Sequence, residues 1–396
     1  MFSSPPPLAP PTSEGNELPW LRLLRSERVG PQTFRKLIAE HQGDAEAALA
    51  ALPEIARTAG IARWQPCPPG RAEAELAAGA KAGARPIFLD HPDYPPGLRM
   101  LDDAPVLLWA CGDAGLAARP VLAIVGARNA SSLGRRMARH LARGLGEAGQ
   151  VIASGLARGI DAEAHDAALA TGTIAVVAGG IDVVYPQENS ALTARIADEG
   201  LLLSEMPPGT RPQPSHFPRR NRIVAGLAAA VVVVEAAAKS GSLGTARLAA
   251  DYGRDVLVVP GHPFDGRAAG CNQLIRDGAG LVRGPDDVLA TLSPRSMPVA
   301  PQPRAEPESP AARHDPDPSP AAQTATARHS DPAVCEADPA ILRPRVLALL
   351  GPAPLAEDAL LADIGTTPAA LAALLTELEL DGLIERHPGG LLTRAT

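Results

Sequence analysis

From Val121 onward the chain alternates short apolar runs with helical stretches, and this alternation constrains the fold more than any other feature. The runs are Val121–Val125, Val151–Ala153, Thr173–Val177, Leu201–Leu203, Ala230–Val234 and Val256–Val259. Runs so short and so aliphatic, bounded by glycine and polar residues, read as strands buried on both faces. The helical stretches between them make the crossovers of a mostly parallel sheet, so an α/β, doubly wound, Rossmann-like domain is expected. Its ligand site belongs at the carboxyl ends of the strands. The longest apolar stretch, Ala225–Val234, is too short to span a bilayer and ends at Glu235. It reads as a helix end followed by a buried strand.

The rest of the chain falls into blocks around that domain. Residues 1–15 are rich in proline and serine and are expected to be disordered. Residues 16–84 read as a small helical domain of helix-hairpin-helix type, with apolar-periodic stretches at Leu18–Leu24 and Phe34–Ile38 separated by Val29-Gly30-Pro31. A grip on a DNA backbone and a domain without a ligand are both open for it, and the second is the plainer reading. The Rossmann-like block is assigned to 85–292 and opens with a connecting piece holding a short strand at Val106–Trp109. A Pro-rich linker is expected over 293–337. The last block, 338–396, reads as helices at Ile341–Leu350, Leu355–Asp363 and Pro368–Leu380. A hairpin follows, Leu383–Arg386 and Leu391–Thr393, around His387-Pro388-Gly389-Gly390. Three helices and a hairpin describe a winged helix.

Composition sets limits on function. The net charge is -7, so any anion site is a local patch within an acidic whole. Basic charge is almost all arginine, lysine occurring only at Lys36, Lys81 and Lys239. Cys67, Cys111, Cys271 and Cys335 are far apart and form no C-x-x-C pair, which argues against a zinc site or a disulfide framework and fits a reducing cytoplasm. The first residues carry neither the basic start nor the apolar stretch of a signal peptide.

The informative residues follow the strands. They are Gly126-Ala127-Arg128-Asn129, then Ser154-Gly155-Leu156-Ala157-Arg158-Gly159-Ile160-Asp161, then Val177–Gly180 with a turn at Tyr185-Pro186, then Phe217-Pro218-Arg219-Arg220-Asn221-Arg222, and last Lys239-Ser240-Gly241-Ser242-Leu243-Gly244-Thr245. Glycine and serine at strand-to-helix turns let backbone N–H groups approach a phosphate, and a helix N-terminus adds positive potential. Arginine adds a bidentate fork. Any one such loop reads equally well as a tight turn that needs glycine; five on one sheet edge favour an anion. Between Met206 and Val234 lie Arg211, Arg219, Arg220 and Arg222 and no acidic residue. Phe217 sits among them, and an aromatic face beside arginines is what an unpaired strand needs.

Other chemistries fit less well. The first turn lacks G-x-G-x-x-G, the second strand ends in Ser154-Gly155 where a ribose-binding acid would stand, and no G-x-x-x-x-G-K-[ST] exists. No cofactor and no metal are therefore expected, and no catalytic residue is assigned. Asp161 and His165 share a helix face, but a helix cap and a core histidine are the plainer readings. The alternative function is a nucleotide phosphoribohydrolase-type enzyme. That class needs a glutamate in a P-G-G-x-G-T-x-x-E turn, and Ser240–Ala249 contains no acid.

At these loops the sequence resembles the DNA-processing protein A family, DprA, also called Smf. The resemblance rests on Ile124–Arg128, Ser154–Asp161 with Ala164-His165, His216–Leu227, Ser240–Ala246, Val259-Pro260-Gly261, Gly270–Ile275 and Gly278-Ala279, over roughly 85–290. It implies an extended Rossmann fold that binds single-stranded DNA, dimerises through the same domain and delivers the strand to the RecA recombinase in natural transformation and recombination. It implies no catalytic turnover. Carried over by motif, Gly126, Arg128, Ser154, Gly155 and Arg158 line a phosphate pocket and Phe217 stacks on a base. Arg219, Arg220 and Arg222 neutralise backbone, Asn221 holds the loop, and Lys239, Ser240, Gly241 and Ser242 make further phosphate contacts. One departure is Gly244, where the family usually carries a bulky aliphatic residue. Another is Pro368–Leu380, which has Glu377 and Glu379 and no basic residue. A duplex-reading helix brings positive charge to the groove, so this winged helix is expected to contact protein or the chain's own body.

Overall fold

The computed structural model describes residues 17–292 and 339–395, apart from 59, 61–63 and 388. The expectations for 1–15 and 293–337 lie outside the described residues. Four helices come first: α1 (Glu17–Arg25), α2 (Pro31–Glu40), α3 (Ala45–Thr58) and α4 (Pro69–Lys81). Strand β1 (Arg85–Phe88), short helix α5 (Pro96–Arg99) and β2 (Leu107–Gly112) lead into the regular alternation. That alternation runs β3 (Val121–Val125), α6 (Ser132–Glu147), β4 (Val151–Ser154), α7 (Ile160–Ala168), β5 (Thr173–Val176), α8 (Ser190–Glu199), β6 (Leu201–Ser204) and α9 (His216–Leu227). It continues with β7 (Ala230–Val233), α10 (Ser242–Asp251), β8 (Asp255–Val258), α11 (Ala269–Arg276), β9 (Gly280–Leu281) and α12 (Pro285–Leu292).

All nine strands form one sheet in the order β1-β2-β6-β5-β4-β3-β7-β8-β9. The seven strands from β3 to β9 pair in parallel, and β2 and β1 add an antiparallel flank beyond β6. Strand order reverses between β4-β3 and β3-β7, which places the crevice of the doubly wound fold at the ends of β3, β4 and β7. Two apolar clusters cover the two faces. One packs β3, β4, β7 and β8 side chains against α9 and α10; the other packs Leu122, Ile124, Ile152, Val232 and Leu257 against α6 and α7. With few aromatics available, small aliphatic side chains let these helices sit close.

The N-terminal helices close on the antiparallel flank. Trp20, Phe34, Phe88 and Trp109 belong to one buried cluster, and the Trp20 ring meets Phe34 and Phe88 at 5.3 and 5.6 Å. Gly79 of α4 is required there, since a Cβ would fall 2.1 Å from the Trp109 ring. The tail forms α13 (Pro339–Leu349), β10 (Leu355–Ala356), α14 (Glu357–Ile364), α15 (Pro368–Leu380), β11 (Ile384–His387) and β12 (Leu391–Arg394), with sheet order β10-β12-β11. This is the expected winged helix, and it has its own core of Leu342, Val346, Leu371, Leu375 and Leu378 among others. Among the described residues, no single helix is long and apolar enough to cross a membrane.

His165 on α7 is buried in this frame. Its Nδ1 lies 2.7 Å from Thr173 Oγ1, and that hydroxyl donates to Ile152 O (2.8 Å). The imidazole therefore donates from Nδ1 and is a core residue, as the plainer reading has it. Burial, with the Arg220 charge beside it, pushes its pKa down to about 3. As pH falls below the unfolded value of about 6.5, the unfolded chain takes up a proton that the native chain refuses. Stability from this group is complete above that value and is lost as pH falls toward 3. Between pH 7.5 and 5.0 the loss is about 2 kcal/mol by linkage. Urea unfolding of the wild type and His165→Gln at both pH values is expected to show a flatter pH response in the variant by that amount. The comparison also separates His165 from Asp90, whose carboxyl is raised by burial to about 6 and works in the opposite direction.

Candidate functional site

The loops after β3, β4, β5 and β7, together with the start of α9, surround an open groove of about 1240 Å³. A smaller recess of about 290 Å³ adjoins it between Arg158 and Phe217. Of the residues expected to bind phosphate or strand, Gly126, Arg128, Gly155, Arg158, Phe217, Arg220, Asn221, Lys239, Ser240, Gly241 and Ser242 line one or both. Ser154, Arg219 and Arg222 line neither.

The groove's floor is built around a buried guanidinium. Arg220 donates from Nη1 to Val176 O (2.8 Å) and from Nε to Asn221 Oδ1 (3.2 Å). Burial lowers its pKa, and Asp161 opposes that shift. Asp161 is equally buried; desolvation raises its pKa, against the Arg220 charge and backbone N–H groups. Gly155 lies between the two. Its N–H donates to Asp161 Oδ2 (3.1 Å), and a Cβ on it would fall 1.8 Å from Arg220 Nη1. Ala157 N–H also donates to Asp161 (3.3 Å). The expected phosphate turn at 154–158 thus gives two of its N–H groups to an internal carboxylate. Gly155 is glycine because a guanidinium lies against it.

Four further placements depart from the expectation. The Ser154 hydroxyl is buried and donates to Ile124 O (2.6 Å), because the last residue of β4 points into the sheet face. Arg222 turns away from the groove, pairing with Glu205 (2.5 Å) and donating to Asp103 O. Arg219 is exposed outside the groove and lies 3.6 Å from the same Glu205. Gly126 is needed for packing, since a Cβ would sit 2.6 Å from Ile160.

What faces solvent is a cationic and aromatic surface. Arg128 is exposed, forms no ion pair among the described residues, and holds its guanidinium 5.1 Å over the centre of the Phe217 ring. Tyr185 extends this stack, its ring centre 5.8 Å from that of Phe217, and remains half exposed. Lys239 and Arg247 line the groove without an ion pair among the described residues. Among the described residues Arg158 pairs only with exposed Glu188 (3.3 Å), a contact worth little in water. The N-terminus of α10 opens at Gly241, where the hydroxyls of Ser240 and Ser242 lie 2.7 Å apart. Asn221 Nδ2 lies 3.5 Å from Gly241 O and ties α9 to this turn.

The sequence assigns no binding role to Tyr185, Arg247 or Asn189. Tyr185 reads as part of a turn, and only its approach to Phe217 marks it. Asn189 holds the adjoining loop by donating to Leu156 O (2.9 Å) and Ala157 O (3.2 Å), which supports Leu156 at φ 56°. Arg247 follows by one turn from Gly244 on the exposed face of α10, a position its helical spacing would have disclosed.

The fold and this rim define a doubly wound α/β protein with a groove of cationic and aromatic side chains at its sheet edge, flanked by a helical and a winged-helix domain. The chain belongs to the family described as DNA recombination-mediator protein A, whose profile matches residues 85–293. Profiles of a DprA-like N-terminal HHH domain and a DprA winged helix domain match 14–78 and 300–390. The chain is 48% identical over 199 residues to DNA processing protein DprA of Streptococcus pneumoniae, covering 50% of this chain and 70% of that protein. It is 37% identical over 315 residues to protein Smf of Synechocystis, covering 77% and 79%. The X-ray structure of DNA processing protein A from Streptococcus pneumoniae superposes with a TM-score of 0.54 at 34% identity, covering 69% of this chain and 92% of that one.

The two glycines of the rim are expected to differ in tolerance. Gly155→Ala forces a methyl into a buried, hydrogen-bonded guanidinium and should cost about 1–3 kcal/mol in urea unfolding. Gly241→Ala has open space around its Cβ and should stay within about 0.5 kcal/mol of wild type.

Proposed function

We propose that the groove holds single-stranded DNA and that the chain passes this strand to the RecA recombinase during natural transformation and recombination. The observation that carries the reading is the stack of Arg128, Phe217 and Tyr185 in a groove edged by Lys239 and Arg247. A phenyl ring can stack only on a base whose face is free, which duplex DNA does not offer, while guanidinium groups beside it meet the phosphates. Ser240, Ser242 and the start of α10 add donors for one phosphate. The relatives named DNA processing proteins support a role on DNA, and the family description supports mediation of recombination.

The reading is of a binding protein. Among the described residues, the carboxylates lining the groove are Asp161, occupied by backbone N–H groups and lying near Arg220, and Glu188, paired with Arg158. The phosphoribohydrolase alternative needs a carboxylate in the turn that begins α10, and Arg247 faces the groove there. Dimerisation through the same domain is part of the proposal. Strand β9 supports it, since its Gly280 and Leu281 are exposed at the sheet edge with no further strand beside them among the described residues.

Fluorescence anisotropy with a dT oligonucleotide, titrated with salt, tests the reading. Arg128→Ala with Lys239→Ala is expected to weaken binding at least ~10-fold and to lower the salt slope by about 1.4, two phosphate contacts at ~0.7 each. Phe217→Ala should cost about 1–3 kcal/mol and leave the slope unchanged, because stacking releases few ions. Wild-type affinity in both variants would refute the site.

A further inference from the structure

We propose that the strand continues past the groove to a second stacking station at Phe264, in the cleft between the Rossmann-like rim and the winged helix; this rests on the strand-binding reading above. Phe264 lies on the loop after β8, at the same sheet edge as the groove, and is 82% exposed. Apart from Phe217, whose ring closes the groove, the described chain has no other phenylalanine outside a buried cluster. The ring is supported. It packs against His262 at 5.6 Å between centroids, and Phe264 N–H donates to His262 Nδ1 (3.3 Å).

The cleft is continuous with the groove, since Asn129 and Arg267 line both. It has a volume of about 420 Å³, and its far wall is the winged helix: Ala348, Gly351, Pro352 and Arg394. That wall is held in place by Arg267. Its Nη1 and Nη2 donate to Ala348 O (2.6 Å) and Leu350 O (2.9 Å) at the end of α13, while Asp265 (3.1 Å) and buried Glu235 (3.5 Å) balance its charge. Gly351 fits this contact, as a Cβ would fall 2.8 Å from Arg267 Nη2. Arg267 is therefore a positioning residue, and Arg394, whose Nη1 donates to Leu347 O (3.3 Å), is the cleft's remaining cation. An exposed ring in a cleft that also holds Arg267 and Arg394, opening from a groove that holds Phe217 and Arg128, offers a further base a stacking face and its phosphate a cation.

The test is anisotropy on the full chain with dT oligonucleotides of about 6 and about 20 nucleotides, the shorter confined to the groove. Phe264→Ala should weaken the long oligonucleotide about 5- to 10-fold and leave the short one unchanged, and Phe264→Tyr should retain wild-type binding. In Phe264→Trp, indole emission should be quenched by the long strand only. Equal binding of the long strand by Phe264→Ala and wild type overturns the station. So does an equal loss for both lengths, which would put the ring inside the primary groove. If instead Phe217→Ala and the Arg128→Ala, Lys239→Ala double variant leave both lengths unaffected, the strand-binding reading itself is what fails.

Discussion

Burying the guanidinium of Arg220 is the constraint around which the rim is organised. A buried cation is costly unless its donors are met and an opposite charge lies near. Here Val176 O and Asn221 accept, and Asp161 supplies the charge. The same Asp161 takes two N–H groups of the loop after β4, so one carboxylate fixes both the loop and the electrostatic setting of α9. With α9 fixed, Phe217, one turn earlier on that helix, is aimed at Arg128. The outward stack thus inherits its geometry from an inward charge. The Asp161 carboxylate therefore does not leave the groove floor acidic: its charge is answered from within by Arg220 and by backbone N–H groups.

Counting arginines overstates the positive surface of this chain. Glu205 takes Arg222 and lies close to Arg219, and Glu163 takes Arg135 and Arg139. Such pairing lets an acidic protein carry many arginines without a diffuse basic surface. Among the described residues, the cations left facing the groove without an ion pair are Arg128, Lys239 and Arg247, with Arg158 weakly engaged. A few unpaired charges in a concave, partly apolar site act more strongly than the same number on an open face, because low-dielectric walls focus their field.

The sheet was legible because its strands are short aliphatic runs with turn residues at their ends, and the strand-end loops therefore located the groove. β1 and β9 were not legible: Arg85–Phe88 contains Pro86, and Gly280–Leu281 is two residues long, so neither presents a run to read. The site residues divide by a similar rule. Glycine and serine in a loop say that backbone comes close to something without saying what. At Gly155 the something is Arg220, and at Gly126 it is Ile160. Arg219, Arg220 and Arg222 look like one patch in the sequence, but successive helix residues fan out by about 100° each. One points to the floor, one to solvent and one to Glu205 and Asp103. Deciding which is which required knowing the face on which α9 packs.

The winged helix fits the same logic. Its α15 carries Glu377 and Glu379, and these are matched within the domain by Arg343 and Arg386, so the helix presents no cationic face to a duplex. The domain instead meets the chain's own body. Ser132 and Arg139 of α6 reach Asp363, and Arg267 caps the carbonyl end of α13, where a cation complements the helix dipole. These contacts set the domain beside the groove, at Asn129 and Arg267, which line both the groove and the cleft. A domain held there by its helix ends, with its acidic helix already neutralised, forms the far wall of the cleft beside the rim.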